Sequence, residues 1–257
     1  MLNRLISAWI WVTTAVVALI FLPILAVVFV FTAPFDPGRY KVGRWFRRTA
    51  VSAVKLNPLW DFRTSGVRIE DPRHPYVAVS NHESMADIFL ISHLPWEMKW
   101  LSKEAVFRIP VMGWMMRMAG DVPIRRTNRS SRFEAIEQCR DRLNRRVSVM
   151  IFPEGTRSKT GELLPFKDGA FRLAIEEQLP ILPMAVAGTR KAVRKGSLAI
   201  GKARAEVRVL EPIPTTGLTL ADVPALRERV RAQIQEERDR LAAQLGVADH
   251  PTRPSDA

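Results

Sequence analysis

The chain has 257 residues, 47% of them hydrophobic and 25% charged, which is enough material for one sizeable domain and an appended apolar segment. Its formal net charge of +13 calls for an anionic partner, either nucleic acid or the anionic face of a membrane. Cys139 is the single cysteine, which excludes an intrachain disulfide and any multi-cysteine metal site and leaves an incidental thiol in a helix-like stretch.

From Leu5 to Phe35 no charged residue occurs. As one helix this run would measure roughly 45 Å against a hydrocarbon slab of about 30 Å. Pro23 lies inside it, so residues 1–37 are expected to be a membrane segment, either one kinked helix or a helical hairpin turning near Pro23. A cleavable signal peptide has a shorter apolar core, about 7–15 residues, and more positive charge at its start than Arg4 supplies. Arg39, Lys41, Arg44, Arg47 and Arg48 follow, interleaved with Trp45, Phe46 and Trp60. Cations beside an apolar run mark the cytoplasmic side, and indoles favour the headgroup layer. Residues 38–65 therefore read as a basic interfacial segment, with the main body on the cytoplasmic face of the inner membrane. The sequence carries no nucleic-acid module signature, so the positive charge is assigned to lipid.

Residues 66–246 alternate strand-like and helix-like stretches. Gly66 to Glu70 is a short strand, Tyr76 to Val79 a buried strand, and Ala86 to Leu94 opens a helix. Glu104 to Met118 is apolar and helix-like, interrupted by Pro110 and Gly113; its Phe107, Val111, Met112, Trp114, Met115 and Met118 suit either an acyl chain or an ordinary core. Asp121 to Ile124 is a strand-like piece, and Ser131 to Asn144 a helix with Phe133, Ile136 and Leu143 on one side. Val147 to Phe152 and Ile181 to Ala187 are buried strands, with a helix at Ala170 to Glu177 between them. Ala205 to Leu210 alternates as a later strand, Ala225 to Leu245 is a charged amphipathic helix ended by Gly246, and residues 247–257 form a disordered tail. This order predicts an α/β domain with a mixed sheet flanked by helices, behind an N-terminal membrane-embedded helical segment.

The chemistry falls on Ser80 to Asp87, where an imidazole and a carboxylate stand five residues apart just after a strand. On one continuous helix, five residues rotate by about 140°, so His82 and Asp87 would not share a face. A strand-to-helix turn brings them together instead, with Asp87 fixing one ring nitrogen and leaving the other free as a base. A turn cap plus a surface charge is the plain alternative. Ser84 falls where that helix begins, as a cap.

Four blocks recur in fixed order: Asn81-His82 with Asp87; Gly120 to Arg126; Phe152-Pro153-Glu154-Gly155-Thr156-Arg157-Ser158; and Ile181-Leu182-Pro183-Met184. Together they resemble the glycerolipid acyltransferase family, and within it the bacterial lysophosphatidic acid acyltransferases, over roughly Gly66 to Leu210. The resemblance implies acyl transfer from a thioester donor to a glycerol hydroxyl, with His82 as base and Asp87 as its orienting partner. A direct alcohol nucleophile needs no enzyme nucleophile, and no Gly-x-Ser-x-Gly elbow is present. The resemblance also implies that Arg126, Glu154, Gly155, Thr156 and Arg157 bind the acceptor. Arginine forks match phosphate oxygens, while Glu154 has a positioning role. Lys103 is a further phosphate candidate, with exposed surface as its alternative, and Ile181 to Met184 either packs or touches substrate.

The expected reaction esterifies the sn-2 hydroxyl of lysophosphatidate to give phosphatidate, with acyl-CoA or acyl carrier protein as co-substrate, the bilayer as partner, and no bound cofactor. No histidine has the i, i+4 partner of a zinc helix, so no metal is expected. Two alternatives stay open: the same chemistry on glycerol 3-phosphate, another lysophospholipid or a lyso-ornithine lipid; and a non-catalytic protein binding anionic lipid through its basic face.

Overall fold

The computed structural model describes residues 2–158 and 161–247; the expected tail beyond residue 247 lies outside the described residues. The apolar run forms a single helix, α1 (Leu2–Thr32), that continues through Pro23, so the hairpin alternative does not hold. Helical spacing splits α1 into two faces. Leu5, Trp9, Val12, Val16, Leu19, Ile20, Val27, Val30 and Phe31 stay exposed, while Ile10, Val17, Ala18 and Leu25 are buried against the rest of the chain. Contacts run along its length. Ser7 Oγ accepts the Ile200 N–H at 2.9 Å and Trp11 Nε1 donates to the Leu198 carbonyl at 2.7 Å near one end. Ala18 and Leu25 pack towards the other with Val42, Phe46, Phe107, Met115, Met116 and Ala119.

The basic segment forms α2 (Tyr40–Lys55), which packs on α1 and on α4 (Met112–Ala119). The Val106 to Met118 stretch is thus mostly spent on the junction with α1, after a short 3-10 turn at Glu104–Arg108, though Ile109 and Trp114 remain exposed.

The remaining elements are β1 (Trp60–Gly66), β2 (Val77–Ser80), α3 (Ala86–Ile91), β3 (Met98–Lys103), β4 (Val122–Ile124), α5 (Arg129–Asn144), β5 (Ser148–Ile151), α6 (Gly169–Glu176), β6 (Ile181–Ala187), β7 (Ala203–Val209) and α7 (Val223–Gln244). They build one seven-stranded sheet in the order β1-β7-β6-β2-β5-β3-β4. Strands β6, β2, β5, β3 and β4 are mutually parallel, and β7 runs antiparallel to β6, so the sheet is mixed. β2, β5 and β6 are buried along their whole length, as strands covered on both faces must be.

Three expectations need correction. The first strand is Trp60–Gly66 rather than Gly66 to Glu70, paired with β7, so the sheet reaches into the segment expected to be interfacial. Gly66 ends it with φ of 92°, in a place where a Cβ would lie 2.0 Å from the Val209 carbonyl oxygen. Strand β3 was not anticipated, because Lys99 and Lys103 break its apolar pattern. On α5 the buried stripe is Ala135, Cys139 and Leu143, while Phe133 is exposed; burial drives the Cys139 thiol pKa up to about 12, leaving it inert. Ile181 to Met184 lies wholly within the buried β6.

One side of α2 closes over a buried charge cluster. Lys99 Nζ donates to Glu97 Oε1 at 3.0 Å and to the Arg39 carbonyl at 2.8 Å. Arg47 reaches Asp121 and the Met98 carbonyl, and Asp121 also accepts the Trp100 N–H at 3.0 Å. Burial raises the Glu97 pKa and lowers that of Lys99, each group being held by the other's charge. Removing one member strands the opposite charge. Glu97→Ala should therefore lower the unfolding free energy by about 3–5 kcal/mol, read from the denaturant midpoint in detergent micelles.

Candidate active site

β2 ends at Ser80, and the next side chain extends its ladder. Asn81 Nδ2 donates to the Val186 carbonyl and Asn81 Oδ1 accepts the Val186 N–H, both at 2.8 Å. This fork pins the turn to β6 and sends His82 out at the carboxyl edge of the sheet. Asp87, in the first turn of α3, is fully buried and gathers four donors. Its Oδ2 accepts from His82 Nδ1 at 2.7 Å, from the Glu83 N–H at 2.9 Å and from the Ser84 N–H at 3.0 Å; its Oδ1 accepts from the Thr189 hydroxyl. An ionised carboxylate only accepts, so the shared proton sits on Nδ1 and the Nε2 lone pair is left for a substrate. Phe152 stacks on the imidazole with centroids 4.0 Å apart and planes 16° from parallel, which fixes the ring's tilt. Ser84 donates to the Val193 carbonyl at 2.7 Å and accepts the Ala86 N–H at 3.2 Å, tying the turn to the following loop as well as capping locally.

The 152–158 block holds the backbone of His82 from both sides. Glu154 Oε1 accepts the His82 N–H at 2.6 Å, Glu154 Oε2 accepts the Leu164 N–H at 3.0 Å, and the Ser158 N–H donates to the His82 carbonyl at 3.1 Å. Each Glu154 oxygen thus holds one backbone N–H, which is a positioning contact on the turn. Its carboxyl is 4% exposed, and burial pushes its pKa up to about 7 against the pull of the two N–H donors. Gly155 takes φ of 71°, with Lys167 Nζ 2.9 Å from where a Cβ would stand. Thr156 is exposed, and Lys195 Nζ donates to its hydroxyl at 3.3 Å and to the Arg157 carbonyl at 2.7 Å. The half-buried Arg157 guanidinium has no carboxylate partner among the described residues.

Strand order places the other cations. β2, β5, β3 and β4 are consecutive and parallel, so their carboxyl ends deliver His82, the 152–158 block, Lys103 and Arg126 to one edge. Neighbouring strands lie about 4.8 Å apart, which sets the ends of β2 and β4 roughly 14 Å apart. Arg157 adjoins Ser158, whose N–H bonds the His82 carbonyl, whereas Arg126 follows β4, three strands from β2 along the sheet. Lys103 is exposed and in register with Ile124. Arg125 is engaged by Glu104, with Nη2 2.7 Å from Oε1, whereas the Arg126 guanidinium meets no carboxylate among the described residues; burial lowers its pKa. Among the described residues, no three of His, Cys, Asp and Glu gather as a metal site.

Sequence reasoning did not single out Thr189 or Lys195. Thr189 is about a hundred residues from Asp87 in sequence, and lysines in a basic chain carry no motif. Only the tertiary fold brings them in.

The sequence pattern of the acyltransferase family matches residues 62–187. A chloroplastic 1-acyl-sn-glycerol-3-phosphate acyltransferase (LPAT1) of Arabidopsis thaliana is 35% identical over 210 residues, covering 81% of this chain and 58% of that protein. The human 1-acyl-sn-glycerol-3-phosphate acyltransferase alpha is 37% identical over 175 residues, covering 65% of this chain and 62% of its own length. The chain thus spans somewhat over half the length of these relatives. The crystal structure of the 1-acyl-sn-glycerophosphate acyltransferase PlsC from Thermotoga maritima shares the fold with a TM-score of 0.66 at 24% identity, over 91% of this chain and 98% of that one.

Two outcomes follow from the geometry. Thr189→Val removes one of the donors on buried Asp87 and should lower turnover of any reaction based on His82 about tenfold and the unfolding free energy by about 1–3 kcal/mol, measured by steady-state kinetics beside denaturant titration. The Glu154 carboxyl, raised on folding from its usual 4.5 to about 7, contributes stability that is fully present below about pH 4.5 and is lost as pH rises through about 7. Wild type should become easier to unfold across that window, and Glu154→Gln should flatten the slope.

Proposed function

Because this chain belongs to the glycerolipid acyltransferase family, we propose that it moves a fatty acyl group from a thioester to the sn-2 hydroxyl of lysophosphatidate, forming phosphatidate. The observation that carries the reading is the His82 ring, oriented by Asp87 at 2.7 Å and backed by a loop whose Ser158 N–H bonds the His82 carbonyl at 3.1 Å. Arg157 adjoins Ser158 in that loop, which supports a role for it at the acceptor headgroup. A non-catalytic lipid-binding surface needs cations alone and gives no reason for a tautomer-fixed imidazole.

In the reaction, Nε2 of His82 takes the proton as the hydroxyl oxygen attacks the thioester carbonyl. The tetrahedral adduct collapses with cleavage of the carbon–sulfur bond, and the imidazolium returns its proton to the departing thiolate. Asp87 stabilises the imidazolium without itself taking the proton. Arg157, Lys103 and Arg126 hold the acceptor phosphate, with Arg157 nearest the hydroxyl. Gly155 and Thr156 shape the headgroup's approach, while Glu154 keeps His82 in place. Acyl-CoA and acyl carrier protein are both anionic donors compatible with the basic edge.

The membrane reading follows from α1. Its two ends both rest on the same catalytic body, through Ser7 and Trp11 at one end and Leu25 at the other, so a body on one side of the bilayer supports a helix lying along one leaflet. The exposed apolar stripe then faces the acyl chains, and Lys41, Arg44 and Arg48 on α2 favour the cytoplasmic leaflet of the inner membrane.

A matrix of acyl-CoA and acyl carrier protein donors against lysophosphatidate, glycerol 3-phosphate and other lysophospholipids tests the assignment on purified protein. His82→Ala should lose at least about a thousandfold in kcat while remaining folded and membrane-bound. Ordinary turnover by that variant would sink the base assignment. Arg157→Ala should raise KM for lysophosphatidate more than Arg126→Ala does, and equal rates on uncharged acceptors would remove the phosphate role.

A further inference from the structure

Outside the sheet edge that carries His82, a cleft lies between α1 and α2, with a volume of about 470 Å³. This falls within the range of small-molecule sites, roughly 300–1,000 Å³. Its two halves differ in chemistry. Val27, Val28 and Phe31 of α1 with Trp45 of α2 make an apolar floor that is continuous with the exposed stripe of α1. Lys41, Arg44 and Arg48 form the rim; at spacings of three and four residues they share one face of α2.

Among the described residues none of these cations meets a carboxylate through its side chain. Arg44 donates to the Leu94 carbonyl at 3.2 Å, and the Arg48 guanidinium lies 4.6 Å over the Trp45 ring. α2 itself contains no acidic residue. Arg47, on the other side of the helix, is consumed by Glu97 and Asp121, so the asymmetry belongs to the cleft face alone. An occupant must therefore offer a hydrocarbon body and a negative head at one end, and must arrive from the layer into which the α1 stripe faces.

We propose that this cleft is a binding site for one anionic diacyl phospholipid of the bilayer, with an acyl chain along Val27, Val28 and Phe31 and its phosphate against Arg44, Arg48 and Lys41. The site is separate from the acceptor site at the sheet edge and does not involve His82. An occupied cleft seats α2 at the depth of the lipid phosphates, and through the buried contacts of Arg47 sets the height of the catalytic body over the leaflet.

The test uses the full chain in detergent, titrated with phosphatidylglycerol or with phosphatidylcholine of the same chain length, and counts lipid retained per chain by native mass spectrometry. The expected result is one retained phosphatidylglycerol, preferred over phosphatidylcholine by about tenfold or more, as a few cations near a phosphate provide. Lys41→Gln/Arg44→Gln/Arg48→Gln should abolish the preference, and Val27→Trp, which fills the apolar half without changing charge, should reduce retention of both lipids. Arg68→Gln/Arg172→Gln/Arg229→Gln removes the same charge elsewhere and should leave retention intact. Equal retention of the two lipids, equal loss in the control variant, or no effect of Val27→Trp would overturn the site. Acyl transfer measured in the same micelles separates the readings: cleft variants should keep it, and His82→Ala should lose it while retaining lipid.

Discussion

The candidate catalytic edge is organised around one buried carboxylate. Asp87 has no contact with solvent, and a charge so placed persists only if its lone pairs are filled. The turn fills them with the His82 ring, two consecutive backbone N–H groups and a hydroxyl from the far end of β6. Because the same oxygen accepts from the ring and from the backbone of residues 83 and 84, the imidazole cannot swing without unfastening the turn. The orientation that a general base needs is thus imposed by the cost of leaving an anion unsatisfied.

A second carboxylate, far along the chain but bonded to the same turn, plays a different part. Glu154 spends both oxygens on backbone N–H groups, one of them that of His82, and burial brings its pKa to about 7. Two acids near one histidine have different surroundings and different parts: Asp87 is saturated with donors and holds the ring, whereas Glu154 is desolvated and supports the backbone. The glutamate at the head of the Glu154-Gly155-Thr156-Arg157 block, which sits awkwardly beside a phosphate on electrostatic grounds, has its explanation in that backbone contact.

The apolar helix and the catalytic body form one packed unit. α1 gives one stripe to the core shared with α2 and α4 and leaves the other bare, and α2 carries a buried arginine on one side and open cations on the other. Under the proposed membrane reading, a helix used this way sets the body's position relative to lipid, and a substrate with its tail in the leaflet meets the sheet edge from a fixed height.

Much of this was written in local pattern. The length of the Leu5 to Phe35 run, the alternation of strands with helices and the five-residue spacing of His82 and Asp87 are all short-range features, and short-range sterics and hydrophobic periodicity decide them. The exceptions have one cause. β3 was hidden because Lys99 reads as surface, and only the folded chain supplies Glu97 and the Arg39 carbonyl to bury it. Arg125 and Arg126 look interchangeable in sequence until Glu104 engages one of them. Thr189 and Lys195 carry no motif, and join the site because β6 and its following loop pass beside the turn after β2. The sequence by itself determined most of the elements, the apolar segment and the approach of Asp87 to the His82 ring across a strand-to-helix turn, since each depends on neighbours along the chain. Tertiary structure alone decided which charges are paired, whether the apolar helix lies along the body, and what Glu154 holds, because those depend on groups that meet only when distant strands pack side by side.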